Sequence, residues 1–363
     1  MVQPAGLAIV QYGRTATPQL SVVMPVYNCA RFIEAAVASI LCQTHADFEL
    51  LIVDDGSTDG TTGILRGLAA NDARIRLIEQ ENCGIVASLN RMISLACGEF
   101  MARMDGDDIS LPDRFARQIA HLSAHPQIGA VGTQYVEIDG ADVVTDPAIR
   151  HPVGPAAVRA GMMIEQPFSN PTVMFRAAAL RAAGGYREAF RYCEDYDLFL
   201  RLSRIAELDN LPDILLHYRR TPTQMSIANN SRQTRQAVKA LFAHREVLAG
   251  RPDPFDGLDI LPTLDRMDAH IGRVGVARAL RGEIAQRLRF SPMALGGEEF
   301  AMIVAHARSG DPFPGAWRTV LRCFSLGLFA RTFQLAAALL YGNWRAQPGD
   351  EEAVEAGGSI ISR

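Results

Sequence analysis

Short apolar runs alternate with longer mixed stretches through the first third of the chain. Leu20 to Val26 (LSVVMPV) is apolar and rich in valine, which predicts a buried strand. Phe32 to Leu41 (FIEAAVASIL) has helical composition and spacing, and Phe48 to Val53 (FELLIV) is strand-like again. The alternation continues with a helix over Ile64 to Ala70, a strand over Arg74 to Glu79, a helix over Ile85 to Ala96 and a strand over Glu99 to Met104. Strands separated by helical segments of this length indicate βαβ units and a mostly parallel sheet. In such sheets ligands bind beyond the carboxyl ends of the strands, so three loops matter most. They are Tyr27-Asn28, Asp54-Asp55-Gly56-Ser57 and Asp105-Gly106-Asp107-Asp108.

Pro112 is placed to open a helix (PDRFARQIAHLSAH), as proline does in a first helical turn. Ile128 to Ile138 and Thr172 to Arg176 read as strands. Ala177 to Ala183 is a short helix stopped by Gly184-Gly185, and Glu194-Asp195 precede a helix (YDLFLRLSRI). Asp213 to Tyr218 is a late strand. After about Ala228 the strand signal fades and helix formers take over, with breaks at Gly250-Arg251-Pro252 and Gly310 to Pro314. The expected organisation is a segment 1–19, an α/β domain 20–228, a helical region 229–346 and a disordered tail 347–363.

Composition then narrows the class. Among 363 residues, 36 Lys and Arg against 40 Asp and Glu leave a net charge of −4, which argues against a chain built to coat nucleic acid. Hydrophobic residues at 48% and charged residues at 21% are ordinary for a globular protein and exclude wholesale disorder. Cys29, Cys42, Cys83, Cys97, Cys193 and Cys323 are too scattered for a zinc knuckle or a disulfide framework, so reduced thiols in a cytoplasmic setting are expected. No secretory signal is expected from the N-terminal residues, and no stretch reaches the ~20 apolar residues that span a bilayer. From Pro312 to Gln347 the charged residues are Arg318, Arg322, Arg331 and Arg345, with no acid, among many aromatic and aliphatic side chains. Such a helix pair suits either peripheral contact with the inner face of a cell membrane or a packed lid or dimer surface.

The acidic loops carry the candidate chemistry. Asp105, Asp107 and Asp108 crowd one strand end and repel one another unless a cation offsets them. Mg²⁺ or Mn²⁺ with one or two carboxylates leaves positions for a diphosphate. A solvated Asp-Gly turn is the plainer alternative, and the position at the ligand-binding sheet edge favours the metal. Asp55 can accept a hydrogen bond from a base N–H or a ribose hydroxyl, while Gly56 makes the turn and Ser57, Thr58 or Asp59 caps the next helix. Tyr27 can stack on a base or simply pack. Glu194 and Asp195 suit a helix start electrostatically, and equally suit a general base facing a bound donor.

In order and spacing, SVVMPVYN, FELLIVDDGSTDGT, ENCGIVASLN, GEFMARMDGDD, LPDRFARQ, NPTVMFR and EDYDLFLRL resemble the successive signatures of family-two glycosyltransferases, from about Leu20 to Ser226. The resemblance implies an α/β fold of the GT-A type, a Rossmann-like and mostly parallel sheet flanked by helices, with a helical C-terminal extension. It implies a nucleotide-diphosphate sugar, most simply a UDP-sugar, a divalent metal, and inversion at the anomeric carbon. Pro25 and Tyr27 would line the base pocket and Asp55 would bind the base. Asp105 and Asp107 would contact the donor, with Asp107 and Asp108 at the metal, the division among the three aspartates staying open. Asp195 would be the general base, with Glu194 beside it. Asn170-Pro171-Thr172 stands where many relatives carry His-Pro-Thr. Tyr218-Arg219-Arg220-Thr221 lacks the histidine of the family's YR-x-H pattern, leaving Arg219 and Arg220 as phosphate candidates and His217 as a strand residue.

Transfer to a saccharide or lipid-linked acceptor in surface-glycan assembly is therefore the leading expectation. A non-catalytic nucleotide-sugar-binding module is the alternative, disfavoured by the intact Glu194-Asp195 pair. A nucleotidyltransferase would need a glycine-rich basic loop after the first strand, which is absent. A processive synthase would need a membrane channel.

Overall fold

The computed structural model describes residues 17–221 and 230–345. The expected disordered tail at 347–363, the expected domain boundary near Ala228 and most of the segment 1–19 lie outside the described residues. The chain forms two compact units, divided between Ala228 and Asn229.

The first unit opens as a strand–helix alternation. Its elements are β1 (Leu20–Val26), α1 (Ile33–Leu41), β2 (Phe48–Asp54), α2 (Thr61–Asn71), β3 (Ile75–Glu79), α3 (Ile85–Leu95) and β4 (Phe100–Arg103). Every residue of β1 and β2 is buried, which is what their near-continuous apolar runs predict for strands covered on both faces. The four strands lie parallel in the order β3-β2-β1-β4. Their amino ends are pinned by a polar network in which Ser21 donates to Glu49 at 2.6 Å and Arg76 pairs with the same carboxylate at 2.5 Å.

The chain continues through β5 (Ile109–Ser110), α4 (Arg114–Ala124), β6 (Ile128–Ile138), β7 (Val144–Ile149), α5 (Pro155–Met162), β8 (Met174–Arg176), α6 (Ala177–Ala182), α7 (Glu194–Leu202) and β9 (Glu207–Arg219). The full sheet runs β3-β2-β1-β4-β8-β6-β9-β5, with β7 paired to β6. Beyond β4 it is mixed: β8 is antiparallel to both β4 and β6, whereas β6 and β9 are parallel. The sheet is thus parallel where the strand–helix alternation is regular and mixed beyond it, where the chain inserts short strands between longer ones. β5 and β8 have two and three residues. β7 returns on β6 through a turn in which the Asp139 carboxylate accepts the N–H groups of Ala141 and Val143 at 2.8 and 3.0 Å. Glu194 and Asp195 form the first turn of α7 rather than preceding it, and Thr172 belongs to a 3₁₀ turn ahead of β8.

The second unit is helical: α8 (Asn230–Leu248), α9 (Met267–Ile271), α10 (Val276–Leu288), α11 (Pro292–Gly296), α12 (Phe300–Arg308), α13 (Ala316–Ser325) and α14 (Phe329–Arg345). Leu280, Ile284, Leu288, Ile303, Val320, Cys323, Leu335 and Leu339 form its buried apolar interior. Among the described residues no helix is long and apolar enough to cross a membrane.

Candidate active site

The carboxyl ends of β1 and β2 finish level, with Val26 opposite Asp54, so Tyr27 and Asp55 leave adjacent strands side by side. Pro25 is buried in β1 beside Val53, past the end of the β1–β4 ladder, where its missing N–H costs no pairing. Tyr27 is half exposed. Asn28 takes a left-handed conformation (φ 52°), which asparagine tolerates, and its side-chain oxygen accepts the Thr58 N–H at 2.8 Å. The Asn28 N–H reaches Ser57 Oγ, and the Ala30 N–H reaches Asp59. The two loops are thereby stitched into one floor.

The neighbouring aspartates divide the work. Asp54 turns inward, accepting Ser57 N–H and Thr62 Oγ1. Asp55 accepts the N–H groups of Cys83 and Gly84, both at 2.9 Å, and Gln80 Nε2 at 2.8 Å, ahead of α3. Burial acts to raise its pKa, but these hydrogen bonds outweigh it and hold the carboxyl below its ordinary value. A carboxylate has about four lone-pair positions, so Asp55 retains acceptor capacity for a ligand N–H. Gly56 sits at φ 78°, where a Cβ would meet Asn82 N at 2.9 Å, so the turn demands glycine.

The Asp105–Asp108 turn follows β4. Asp105 and Asp107 are partly exposed, while Asp108 is fully buried. Asp108 Oδ1 accepts the Arg219 N–H at 2.8 Å, and its Oδ2 is buried without a hydrogen-bond partner. The expected metal role of Asp108 therefore meets a side chain that faces inward. Burial, reinforced by Asp105, pushes Asp107 up to about 6, and burial with Asp107 and Asp105 raises Asp108 well above its usual range. Crowded carboxylates, two of them partly exposed, are a donor set that suits a hard divalent cation. Among the described residues no group of three or more His, Cys, Asp or Glu is arranged to hold a metal alone, so a cation here would complete its shell with water or other ligands.

Of the two phosphate candidates, Arg219 is engaged within the fold and Arg220 is partly exposed. Arg219 is buried, donates to the Asp107 carbonyl at 2.7 Å and the Asp139 carbonyl at 2.8 Å, pairs with Asp142 at 2.6 Å and covers the Phe32 ring. It clamps the acidic turn from beneath. Arg220 pairs with Glu137 at 2.7 Å. His217 lies in β9 opposite Ile109, as expected of a strand residue.

Glu194 and Asp195 start α7. Asp195 Oδ2 accepts Gln166 Nε2 at 2.7 Å, while Glu194 Oε2 is buried without a partner. Burial raises the pKa of Asp195, and burial with Asp195 lifts Glu194 to about 7. The helix start is braced from behind by Asp197, whose carboxylate takes both Arg187 and Arg201 at 2.9 Å. Arg201 also donates to the Gly185 carbonyl at 2.6 Å. Tyr186, just after the two glycines, is held by reciprocal bonds to Asn90 at 2.8 and 2.9 Å.

Arg103, at the end of β4, ties the two acidic groups together. It is buried and pairs with Asp105 at 2.5 Å. Its charge lowers the pKa of Asp107, Asp108, Glu194 and Asp195 alike. Tyr186 in turn feels Arg103, Asp105, Glu194 and Asp195, and burial pushes its hydroxyl well up. The acidic turn and the α7 pair therefore lie within electrostatic reach of the same buried guanidinium. Arg103, Gln166 and Tyr186 were not singled out by the sequence. Arg103 offered one signal, a lone cation in an otherwise apolar strand.

The family model described as glycosyl transferase family 2 matches residues 21–182. EpsE of Bacillus subtilis is 40% identical over 194 residues, which are 51% of this chain and 66% of EpsE. The amylovoran biosynthesis glycosyltransferase AmsE of Erwinia amylovora is 30% identical over 203 residues, 55% of this chain and 75% of AmsE. The crystal structure of S. aureus TarS 1–349 in complex with UDP-GlcNAc superposes with a TM-score of 0.52 at 15% identity, covering 93% of this chain and 92% of that one. That likeness shows the fold, an α/β GT-A architecture with C-terminal helices. With its ordered motifs, its sheet edge and these relatives, the chain belongs to glycosyl transferase family 2.

Proposed function

We propose that this chain is an inverting, metal-dependent glycosyltransferase that moves a sugar from a nucleotide-diphosphate donor to an acceptor hydroxyl during assembly of a surface polysaccharide. The observation that carries the reading is that Arg103, paired directly with Asp105 of the acidic turn, also lies within electrostatic reach of the α7 carboxylates. A leaving group and a base need to flank one anomeric carbon, and in this reading the acidic turn and the α7 pair are assigned to those two sides. The name of AmsE supports the polysaccharide role, and the UDP-GlcNAc bound by TarS supports a UDP-sugar donor. Nucleotide sugars place the reaction in the cytoplasm, with a saccharide or lipid-linked acceptor.

Tyr27 and Pro25 border the base, and Asp55 accepts a base N–H with its remaining lone pair. Asp105 and Asp107 would hold Mn²⁺ or Mg²⁺, while Asp108 keeps the turn in shape from inside. The cation, when bound, offsets charge on the departing diphosphate. Asp195 takes the proton of the acceptor hydroxyl as that oxygen attacks the anomeric carbon. Attack opposite the leaving group gives inversion. Gln166 on Oδ2 and the Tyr196 N–H on Oδ1, both at 2.7 Å, fix the carboxylate's orientation, and its remaining lone pairs serve the acceptor proton.

The test is Asp195→Asn. Donor binding, read by thermal stabilisation with a panel of nucleotide sugars and Mn²⁺, should persist. Turnover, read as nucleoside diphosphate released with saccharide acceptors, should fall by about 10²–10⁴-fold. Turnover equal to that of the parent chain removes Asp195 from the role.

A further inference from the structure

Helices α13 and α14 bury one side and leave an apolar side bare. On α13, Val320 and Cys323 point into the second unit, whereas Trp317, Leu321 and Phe324, spaced four and three apart, are exposed. On α14, Leu335, Ala338 and Leu339 are buried, whereas Phe329, Phe333 and Leu340 recur on the opposite side, with Phe333 75% exposed. The Phe324 and Phe329 rings meet edge to face with centroids 5.3 Å apart, which joins the two stripes into one surface. Six large apolar side chains together make a patch of several hundred Å², beyond what scattered surface residues present. Arg318 and Arg322 stand exposed beside the α13 stripe. Arg331 is committed elsewhere, to the Leu295 and Gly297 carbonyls.

We propose that this face lies flat in the interface of an anionic lipid membrane. The apolar stripes would enter the acyl boundary, and Arg318 and Arg322 would meet lipid phosphates. Charge selects this occupant over a second copy of the chain. A two-fold contact through the same patch would bring Arg318 and Arg322 of both copies together, and Pro312 to Gln347 contains no acid to pair with them. An anionic headgroup layer satisfies both the apolar and the cationic parts. With 17 residues, α14 lies on a bilayer rather than across it. The proposal stands on the second unit alone and is independent of the catalytic assignment.

The experiment uses the full chain with vesicles of phosphatidylcholine alone and of phosphatidylcholine mixed equally with phosphatidylglycerol. The chain should float with the mixed vesicles, more weakly as salt rises, and its tryptophan emission should shift to the blue. Phe329→Ser with Phe333→Ser should weaken binding by more than about tenfold. Arg318→Gln with Arg322→Gln should remove the preference for phosphatidylglycerol. Unchanged thermal unfolding confirms that the variants fold. Failure to bind either vesicle with unshifted emission overturns the proposal. So does a dimer in solution that the phenylalanine variant makes monomeric while the parent chain ignores vesicles.

Discussion

Asp195 illustrates how a carboxylate is tuned by its surroundings. Burial raises its pKa, and the hydrogen bond from Gln166 opposes that rise. A base must be ionised, so turnover should fall as pH drops through that raised pKa, at a pH above the ordinary aspartate range. Removing the opposing hydrogen bond in Gln166→Leu should move the acid limb to higher pH, with turnover recovering at alkaline pH. A pH–rate profile checks this, and an unmoved limb excludes Gln166 as the orienting group. Glu194 adds a stability term of defined sign. Its pKa rises from 4.5 to about 7 on folding, so the folded chain retains a proton that the unfolded chain has lost within that window. Stability from this group is therefore largest at low pH and falls as pH rises towards 7. In Glu194→Gln, thermal unfolding measured across this range should lose part of its pH dependence.

At the level of elements, the acidic turn depends on a strand far along the chain. Arg219, at the end of β9, holds Asp108 through its backbone and Asp107 through its guanidinium. Arg219→Ala should orphan two carbonyls at a cost of about 1–3 kcal/mol each, read by urea unfolding. It should also weaken stabilisation by Mn²⁺, because the turn loses its shape. Unchanged Mn²⁺ stabilisation would show that the turn needs no clamp. The parallel strands β1 to β4 were legible because their runs of Leu, Ile and Val are nearly unbroken, and the aspartates announced themselves by crowding at strand ends. What escaped reading depends on burial. A single sequence shows Arg219 as a cation available to phosphate, whereas its contacts occupy it. It likewise shows Asp105, Asp107 and Asp108 as equals, and only folding turns Asp108 inward. Gln166 lies in a loop with no period and gains its role from a helix 28 positions later in the chain.

Over the whole molecule, the family match and the acidic turn fall in the first unit, and the second carries the exposed apolar face. A chelator should abolish sugar transfer, and Mn²⁺ or Mg²⁺ should restore it. Full turnover in chelator would rule out the metal reading. The correct donor at 100 times its Kd should stabilise the native state by about 2.7 kcal/mol, which a thermal-shift screen of nucleotide sugars can rank. The bond from Arg219 to Asp108 spans 111 positions. Closing so long a loop is entropically unfavourable until the intervening strands have paired. A nascent chain emerging from the ribosome thus displays every aspartate of the turn well before it releases the residue that shapes it. On the proposed reading, competence for the donor waits for Arg219, and a chain halted ahead of it would carry the acidic motif without the means to arrange it.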